Sequence, residues 1–321
     1  MRFLNLFLIF ATFQLLFLNL LAKDITPNYS LIASGGVTDI LLKEDKLYVA
    51  TTNSKIDIFD INSKNKIESI EIPKIKDFMG DLVNAKIYSI DILNETILIL
   101  SEGEKGGKNI FTYKNGELKN IISDKERLFI AKAKFLDENH IVFALLSNQI
   151  YIYDIKNKSI KNDMQISESK FSNFKLNEDK NILVAVDESG IITILDSKNL
   201  NVIEKIKDQN LDNIFQVDVK NSIILTAGQD RRSVVYDMKK KDVYYKNHSF
   251  LIYSAGLSPS SNLAGVASDE ENNVTIFNTK TKENLHLLKE NRATLTNILF
   301  INENEIFVTS DDKQINYYKI D

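Results

Sequence analysis

The chain has 321 residues, of which 44% are hydrophobic and 26% are charged, and its formal net charge is -4 at pH 7. This much apolar sequence with nearly balanced charge is typical of a folded protein and excludes a disordered one. The sequence has no long Lys/Arg block, so nothing favours a nucleic-acid partner. It also has no cysteine, which excludes disulfides, zinc-thiolate sites and thiol catalysis.

The first segment in chain order is apolar and almost free of charge. Met1–Ala22 carries Arg2 as its only charge and precedes ordinary polar sequence, which is the pattern of a secretory signal peptide. Phe3–Ala22 is also long enough to span a hydrocarbon core of about 30 Å if it is retained as an anchor. Both outcomes place the remaining domain, residues 23–321, outside the cytoplasm. We expect a periplasmic protein that contacts the membrane only if the segment is not cleaved.

Beyond this segment one pattern recurs, in which an apolar strand, a polar turn and an alternating strand are followed by a carboxylate, amide or lysine. Seven copies end at Asp60, Lys114, Asp154, Asp196, Asp237, Asn278 and Lys319. Their successive spacings are 54, 40, 42, 41, 41 and 41 residues. A repeat of this size built from short strands is typical of propeller blades. We therefore predict an all-β, seven-bladed β-propeller, with surface loops at Pro73–Lys86 and Glu102–Lys108 in the longest copy.

The last copy requires a strand from elsewhere in the chain. Apolar residues alternate with a period of two, as in Leu47–Thr51 and Asn181–Val186, which indicates strands rather than helices. Six copies are followed by a candidate outer strand, whereas the seventh ends with the sequence at Asp321 and leaves an open edge. Asn28–Ala33 is strand-like and otherwise unassigned. We predict that it pairs with Tyr317 and its neighbours, completing the seventh blade and closing the ring.

Two passages carry a family resemblance. They are TAGQDRRSVVYD, which begins at Thr226, and SFLIYSAGLSPSSNLAGVASDEENNVTIFN, which begins at Ser249. Both resemble WD40 repeats. The resemblance implies structural roles for Asp230 and Asp312 as the family's turn aspartate, and for His248 as its histidine ahead of a first strand. The sequence has no tryptophan, so the resemblance also implies that the family's buried hydrogen-bond network is incomplete in most blades.

A narrower resemblance concerns function. The string AGQDRRSVVYD, in an exported chain of seven repeats, is similar to the propeller accessory proteins, called the L component, that accompany Nap-type periplasmic nitrate reductases. This resemblance implies a non-catalytic role in maturation of the reductase or in electron delivery, with nitrate reductase components as partners. The propeller fold by itself implies no activity, because propellers host unrelated functions.

One pair of residues is a candidate for partner binding. Arg231 and Arg232 follow Asp230 in a tight turn, which a WD40-like blade presents near the mouth of its central channel. Adjacent guanidinium groups pair well with carboxylates, and arginine is frequent at the centre of protein interfaces. The alternative is an ordinary solvated turn.

No catalytic, cofactor-binding or metal-binding residue is predicted. Asp187–Glu188, Asp269–Glu271 and Asp311–Asp312 are acidic turns on separate blades, and none has the DxDxDG spacing of a calcium loop. The sequence also contains no GxSxG elbow, P-loop, HExxH or dinucleotide fingerprint. We therefore expect a protein-interaction platform that is not an enzyme and uses no cofactor.

Two alternatives stay open. A propeller hydrolase of the lactonase or glycosidase type requires carboxylates from three or more blades to converge in the channel, close enough to perturb each other's pKa. A membrane-tethered envelope scaffold requires the N-terminal segment to be retained.

Overall fold

The computed structural model describes residues 22–321 as a ring of seven sheets of four or five strands. The prediction of an all-β, seven-bladed β-propeller is confirmed. The predicted signal peptide, apart from Ala22, lies outside the described residues. Among residues 22–321 no helix has the length and apolar character needed to cross a bilayer.

Two strands precede the first blade: β1 (Lys23–Ile25) and β2 (Tyr29–Ile32). Blade 1 contains β3 (Val37–Lys43), β4 (Lys46–Thr51), β5 (Lys55–Asp60) and β6 (Asn65–Glu71). A small hairpin follows, formed by β7 (Ile75–Lys76) and β8 (Leu82–Val83). Blade 2 contains β9 (Ile87–Leu93), β10 (Thr96–Glu102), β11 (Lys108–Lys114) and β12 (Glu117–Ile122).

The next three blades have the same form. Blade 3 contains β13 (Ile130–Phe135), β14 (His140–Leu145), β15 (Gln149–Asp154) and β16 (Ser159–Gln165). Blade 4 contains β17 (Phe171–Leu176), β18 (Ile182–Asp187), β19 (Ile192–Asp196) and β20 (Val202–Ile206). Blade 5 contains β21 (Ile214–Lys220), β22 (Ile223–Gly228), β23 (Arg232–Asp237) and β24 (Asp242–Asn247).

The last two blades also take up the strands that precede blade 1. Blade 6 contains β25 (Ala255–Leu257), β26 (Leu263–Ala267), β27 (Val274–Asn278), β28 (Asn284–Leu288) and β1. Blade 7 contains β29 (Leu295–Phe300), β30 (Glu305–Ser310), β31 (Gln314–Lys319) and β2. The helical segments among the described residues are two 3-10 turns, Glu104–Gly106 and Asp124–Glu126.

The N-terminal segment closes the ring as the sequence predicts. β2 pairs antiparallel with β31, with Tyr29 opposite Tyr317 and Ile32 opposite Gln314. Ala33 extends the pairing by donating its N–H to the Lys313 carbonyl at 2.8 Å. β1, which was not expected to be a strand, pairs in parallel with β28 as a fifth strand of blade 6. The segment therefore joins blades 6 and 7 and covers the edges of both.

The hydrophobic core lies between neighbouring blades. Six clusters of buried aliphatic and aromatic side chains each combine residues from two or three adjacent sheets. For example, Phe174 of blade 4 packs with Val142 of blade 3, and both are fully buried. Because each blade is covered on both faces, its central strands are nearly continuous apolar runs.

A recurring bulge shapes the wall of the central channel. In the first strand of six blades the pairing register shifts near the start of the strand. A bulge adds one residue and re-aims the side chain that follows. The residues directly after the shift are polar: Asp39, Ser89, Lys132, Asn173, Gln216 and Asn297. Five of these residues line the central cavity, and the sixth, Ser89, is buried and donates to the Ala133 carbonyl.

The two faces of the ring carry different loops. We call the upper face the one formed by the turns between second and third strands together with the loops that link blades. The lower face carries the remaining turns. Most turns are tight, as at Asn115–Gly116 between β11 and β12, where φ values of 52° and 81° match a two-residue hairpin turn. The β7–β8 hairpin is the part of the predicted Pro73–Lys86 loop that forms strands, and it belongs to the upper face.

Candidate functional site

Exposed apolar side chains are concentrated on the upper face. Phe78 and Met79, at the tip of the β7–β8 hairpin, are 91% and 87% exposed. Among residues 22–321, six of the twelve exposed large apolar side chains lie on this face: Phe78, Met79, Leu82, Phe129, Leu146 and Leu211. The other six lie on strands at the outer rim: Ile32, Ile67, Ile160, Val202, Ile203 and Tyr245. Within the described residues the lower face carries none of them.

Hydrogen bonds hold these apolar groups in place. Asp77 Oδ1 accepts the backbone N–H groups of Met79 and Asp81, each at 2.9 Å, and so orders the hairpin tip. The base of the hairpin is tied to the second turn of blade 1, because Ala85 donates its N–H to Ser54 Oγ at 2.6 Å. An ordered loop loses less conformational entropy on binding than a mobile one.

The upper face combines apolar and acidic side chains. Phe78, Met79, Leu82, Phe129 and Leu146 belong to blades 1 to 3 or to the loops that join them. Exposed acidic residues lie beside them at Asp77, Asp81, Glu104 and Glu126, and further ones lie in turns of blades 4, 6 and 7 at Glu188, Glu270, Glu271 and Asp311. Over residues 22–321, no group of three or more His, Asp and Glu side chains is placed to hold a metal ion.

The predicted arginine pair lies on the upper face of blade 5, and its two members differ. Arg232 Nη1 donates to the Gln209 carbonyl at 3.0 Å, and the guanidinium stacks 4.2 Å from the Tyr245 ring centroid. Arg231 has a φ of 64° and an exposed side chain. Arg232 is thus held by its own chain, whereas Arg231 presents its charge to solvent.

Asp230 organises the turn in which the arginines lie. Its carboxylate accepts the N–H of Leu211 at 2.7 Å, the amide of Asn210 at 3.0 Å and the N–H of Arg232 at 3.1 Å. Thr226 Oγ1 donates to Asn210 Oδ1 at 2.7 Å, which extends the network into β22. Sequence reasoning missed Asn210, and its position ahead of the first strand of the same blade as Asp230 was the available signal.

Asp312 and His248 have simpler surroundings. Asp312 Oδ1 accepts the N–H of Gln314 at 2.8 Å in the equivalent turn of blade 7. His248 Nε2 lies 2.9 Å from Ser233 Oγ on the third strand of blade 5. Burial and the nearby Lys246 ammonium lower the pKa of His248 to about 4.

The depressed pKa of His248 predicts a loss of stability in mild acid. A histidine in the unfolded chain has a pKa near 6.5, so protonation favours unfolding. The contribution of neutral His248 to the free energy of unfolding is complete above pH 6.5. It falls by up to about 3 kcal/mol as the pH decreases towards 4. His248→Gln removes the titration, and its free energy of unfolding, measured by urea denaturation, should vary less than that of the wild type over this range. Equal pH dependence in both proteins would contradict the assignment.

The first strands of the blades enclose a central cavity of about 350 Å³. Its charged lining consists of Asp39, Asp91, Lys132, Lys134, Lys175, Glu178, Lys180, Asp218 and Lys220. Buried charges are costly unless they are paired or hydrogen-bonded. Sequence reasoning missed this cluster, although charged residues inside strands that are otherwise apolar, as in IAKAKF, were a usable signal.

Three of the channel carboxylates link neighbouring blades. Asp39 accepts the Ile90 N–H at 3.0 Å, Asp91 accepts the Phe135 N–H at 2.8 Å, and Asp218 accepts the Leu257 N–H at 2.9 Å. Each carboxylate also faces a different lysine, and the three pairs are Lys134–Asp39 at 3.3 Å, Lys180–Asp91 at 3.8 Å and Lys175–Asp218 at 3.2 Å. These acids hold the inner strands together.

The pKa values of two channel lysines are shifted in opposite directions. The carboxylate of Asp218 raises the pKa of Lys175 and outweighs the opposing effect of desolvation. Lys132 lies next to Lys134 and Lys175, and its ammonium donates to the neutral amide oxygen of Asn173 at 2.8 Å. Burial, together with the charge of Lys134, lowers the pKa of Lys132 to about 7.

Comparison with known proteins identifies no family for this sequence. The sequence matches no family model, and it matches no curated protein. The resemblances to WD40 repeats and to the L-component proteins therefore rest on the quoted strings and on the repeat pattern.

Proposed function

We propose that the protein is a non-catalytic interaction platform that binds a protein partner with its upper face. The observation that carries this proposal is the separation of the two faces. Six exposed large apolar side chains lie on the upper face, and none of those found among the described residues lies on the lower one. Contiguous exposed apolar groups rimmed by polar residues are typical of protein-binding surfaces.

The charge distribution defines the chemistry of the partner. The apolar groups of blades 1 to 3 match an apolar patch on the partner, and the exposed acidic residues of the same face, including Asp77 and Asp81 of the hairpin, match basic side chains around it. Such complementarity governs orientation and association rate more than affinity. Arg231 adds a site for one carboxylate of the partner, while Arg232 is engaged within the chain.

The more specific proposal is that the platform serves a periplasmic nitrate reductase system. Its support is the resemblance of AGQDRRSVVYD to the L-component proteins and the signal-like character of Met1–Ala22. N-terminal sequencing of the mature protein distinguishes export with cleavage from a retained membrane tether. A mature N-terminus at Lys23 would support the periplasmic form.

The platform is tested with the double substitution Phe78→Asp and Met79→Asp. Both side chains are almost fully exposed in the folded protein, so we expect the melting temperature to stay within about 2 °C of the wild type. Charges at the centre of an apolar interface are strongly unfavourable, so we expect at least tenfold weaker partner binding. Ile160→Asp with Ile203→Asp is the matched control, since these residues are 51% and 54% exposed on the outer rim.

Affinity capture from the periplasm of nitrate-respiring cells, followed by mass spectrometry, identifies the partner. Recovery of a nitrate reductase component with the wild type and the rim control, but not with the hairpin variant, is the expected result. A different protein with the same dependence on Phe78 and Met79 would remove the nitrate reductase proposal and leave the platform. Equal capture by the hairpin variant would contradict the platform itself.

A further inference from the structure

We propose that the central channel binds a small organic monocarboxylate, whose carboxylate pairs with Lys132 and whose apolar part contacts the wall formed by blades 7 and 1. This inference concerns the interior of the ring and is independent of what binds the upper face. The charge balance, the distribution of apolar groups and the size of the cavity carry it.

The charge balance of the cavity leaves one positive charge unmatched. Five lysines and four carboxylates line the cavity, so the lining has one excess positive charge when all are ionised. Lys134, Lys175 and Lys180 each form an ion pair, whereas Lys132 and Lys220 form none within residues 22–321. Asp39 and Asp218 act on Lys132, and Asp218 and Glu178 act on Lys220, only through longer-range attraction. The hydrogen bond found for the Lys132 ammonium within residues 22–321 goes to the neutral Asn173. A ligand with a single negative charge would neutralise the excess.

The apolar groups are on the opposite side of the channel. Two residues beyond the bulge of each inner strand, blades 2 to 5 carry Asp91, Lys134, Lys175 and Asp218. The corresponding residues of blades 1 and 7 are Leu41 and Leu299, and both line the cavity. At this level the channel is therefore charged on the side of blades 2 to 5 and apolar on the side of blades 7 and 1, while Asp39 of blade 1 pairs with Lys134. This division favours an organic carboxylate over an inorganic anion, because only the former has a part that gains from apolar contact.

A glycine in blade 6 lets the inner strands of blades 6 and 7 lie close together beside the apolar wall. At the corresponding position blade 6 has Gly256, where an added Cβ would lie 2.1 Å from the Ile298 carbonyl oxygen. β25 and β29 can approach this closely because that residue has no side chain. The resulting cavity of about 350 Å³ is at the lower end of the range for small-molecule sites, which restricts the ligand to a short chain.

Binding should depend on pH in a defined direction. The charged groups that face Lys132 are Lys134 and Lys175, which disfavour its ammonium form, and Asp39 and Asp218, which favour it. Its pKa is about 7 in the free protein, and a bound carboxylate needs the ammonium. The affinity should therefore be highest near pH 6 and fall about tenfold for each unit above pH 7. Binding at pH 8 should take up a proton.

Isothermal titration calorimetry of the protein with sodium acetate, butanoate and hexanoate tests the proposal, with 1-butanol and inorganic phosphate as further probes. The variant is Lys132→Met, which keeps an unbranched side chain, shorter by one atom, and removes its charge. The control is Lys205→Met, since Lys205 donates to the Ile166 carbonyl at 3.1 Å outside the channel lining. Thermal unfolding of each variant establishes that it is folded.

We expect butanoate to bind more tightly than acetate, and 1-butanol and phosphate to bind at least tenfold more weakly than butanoate. Lys132→Met should lose at least tenfold in butanoate affinity, and Lys205→Met should bind as the wild type. Three results would overturn the proposal: no carboxylate binding at 50 mM ligand, undiminished binding by Lys132→Met, or phosphate binding as tight as butanoate. If Lys132→Met does not fold, the wild-type pH profile decides, because pH-independent binding is incompatible with a role for Lys132.

Discussion

Leu31→Asp is expected to lower the free energy of unfolding by at least about 4 kcal/mol, because it places a charge in the seam that closes the ring. Leu31 is 4% exposed and packs with Phe307 and Ile315 of blade 7. Next to it in the seam, the Tyr29 ring stacks on that of Tyr317 with centroids 4.4 Å apart. Without this strand β31 would expose an unpaired edge.

Ile32→Asp is the matched control for this prediction. Ile32 is the next residue of the same strand, but its side chain points the other way and is 52% exposed. We expect a change of less than about 1 kcal/mol. Urea denaturation followed by circular dichroism measures both variants. A similar loss for the two substitutions, or a small loss for Leu31→Asp, would show that the strand does not close the ring.

Asp57→Ala is expected to cost about 3–5 kcal/mol, because it removes the buried partner of a lysine and of three further donors. Asp57 is fully buried in the third strand of blade 1. Its carboxylate accepts the N–H and hydroxyl of Ser34, the hydroxyl of Ser69 and the ammonium of Lys66, at 2.6 to 3.0 Å. Ser34 directly follows the closing segment, so this carboxylate fixes that segment to blade 1.

The control for Asp57 is Asp60→Ala at the end of the same strand. Asp60 Oδ1 accepts the Ser63 N–H at 2.7 Å in a solvent-exposed turn. Water can replace the lost acceptor there, so this substitution should cost far less stability than Asp57→Ala. Denaturant melts of both variants at pH 7 give the comparison. Equal costs for the two substitutions would contradict the role assigned to Asp57.

The loss of stability caused by Asp57→Ala should also depend on pH. Burial alone would raise the pKa of Asp57, but the hydrogen bonds from Ser34, Ser69 and Lys66 outweigh it and the net direction is downward. A carboxyl with a lowered pKa stabilises the fold above its unfolded value, about 3.9 for aspartate, and loses this effect as the pH falls through the folded value. The gap between wild type and Asp57→Ala should therefore narrow below pH 4.

The repeat was predictable because each blade repeats the same physical requirement. A third strand such as QIYIYD is covered on both sides, so its period and its polar end are visible in the sequence, and the structure places it at Gln149–Asp154 as β15. The closing strand was predictable for a related reason. Circular closure demands a partner for β31, and Asn28–Ala33 was the strand-like segment left over.

The channel and the hairpin were less accessible to sequence reasoning. Lys132 and Asp218 are far apart in the chain, and only the ring brings them to one axis. β7 and β8 have only two residues each, and Phe78 and Met79 lie between them. Strands this short give no periodic pattern, so the sequence predicts a loop here. Pairwise pKa effects such as that of Lys134 on Lys132 depend on distances that no local pattern contains.

The most direct test of the proposed function is site-specific photocrosslinking in the native host, with benzoylphenylalanine placed at Phe78 or at Ile160. Both side chains are exposed, but Phe78 lies on the upper face and Ile160 on the outer rim. We predict one major adduct with a single protein from Phe78 and little or none from Ile160. Adducts with the same protein from Ile160 but not from Phe78 would contradict binding by the upper face.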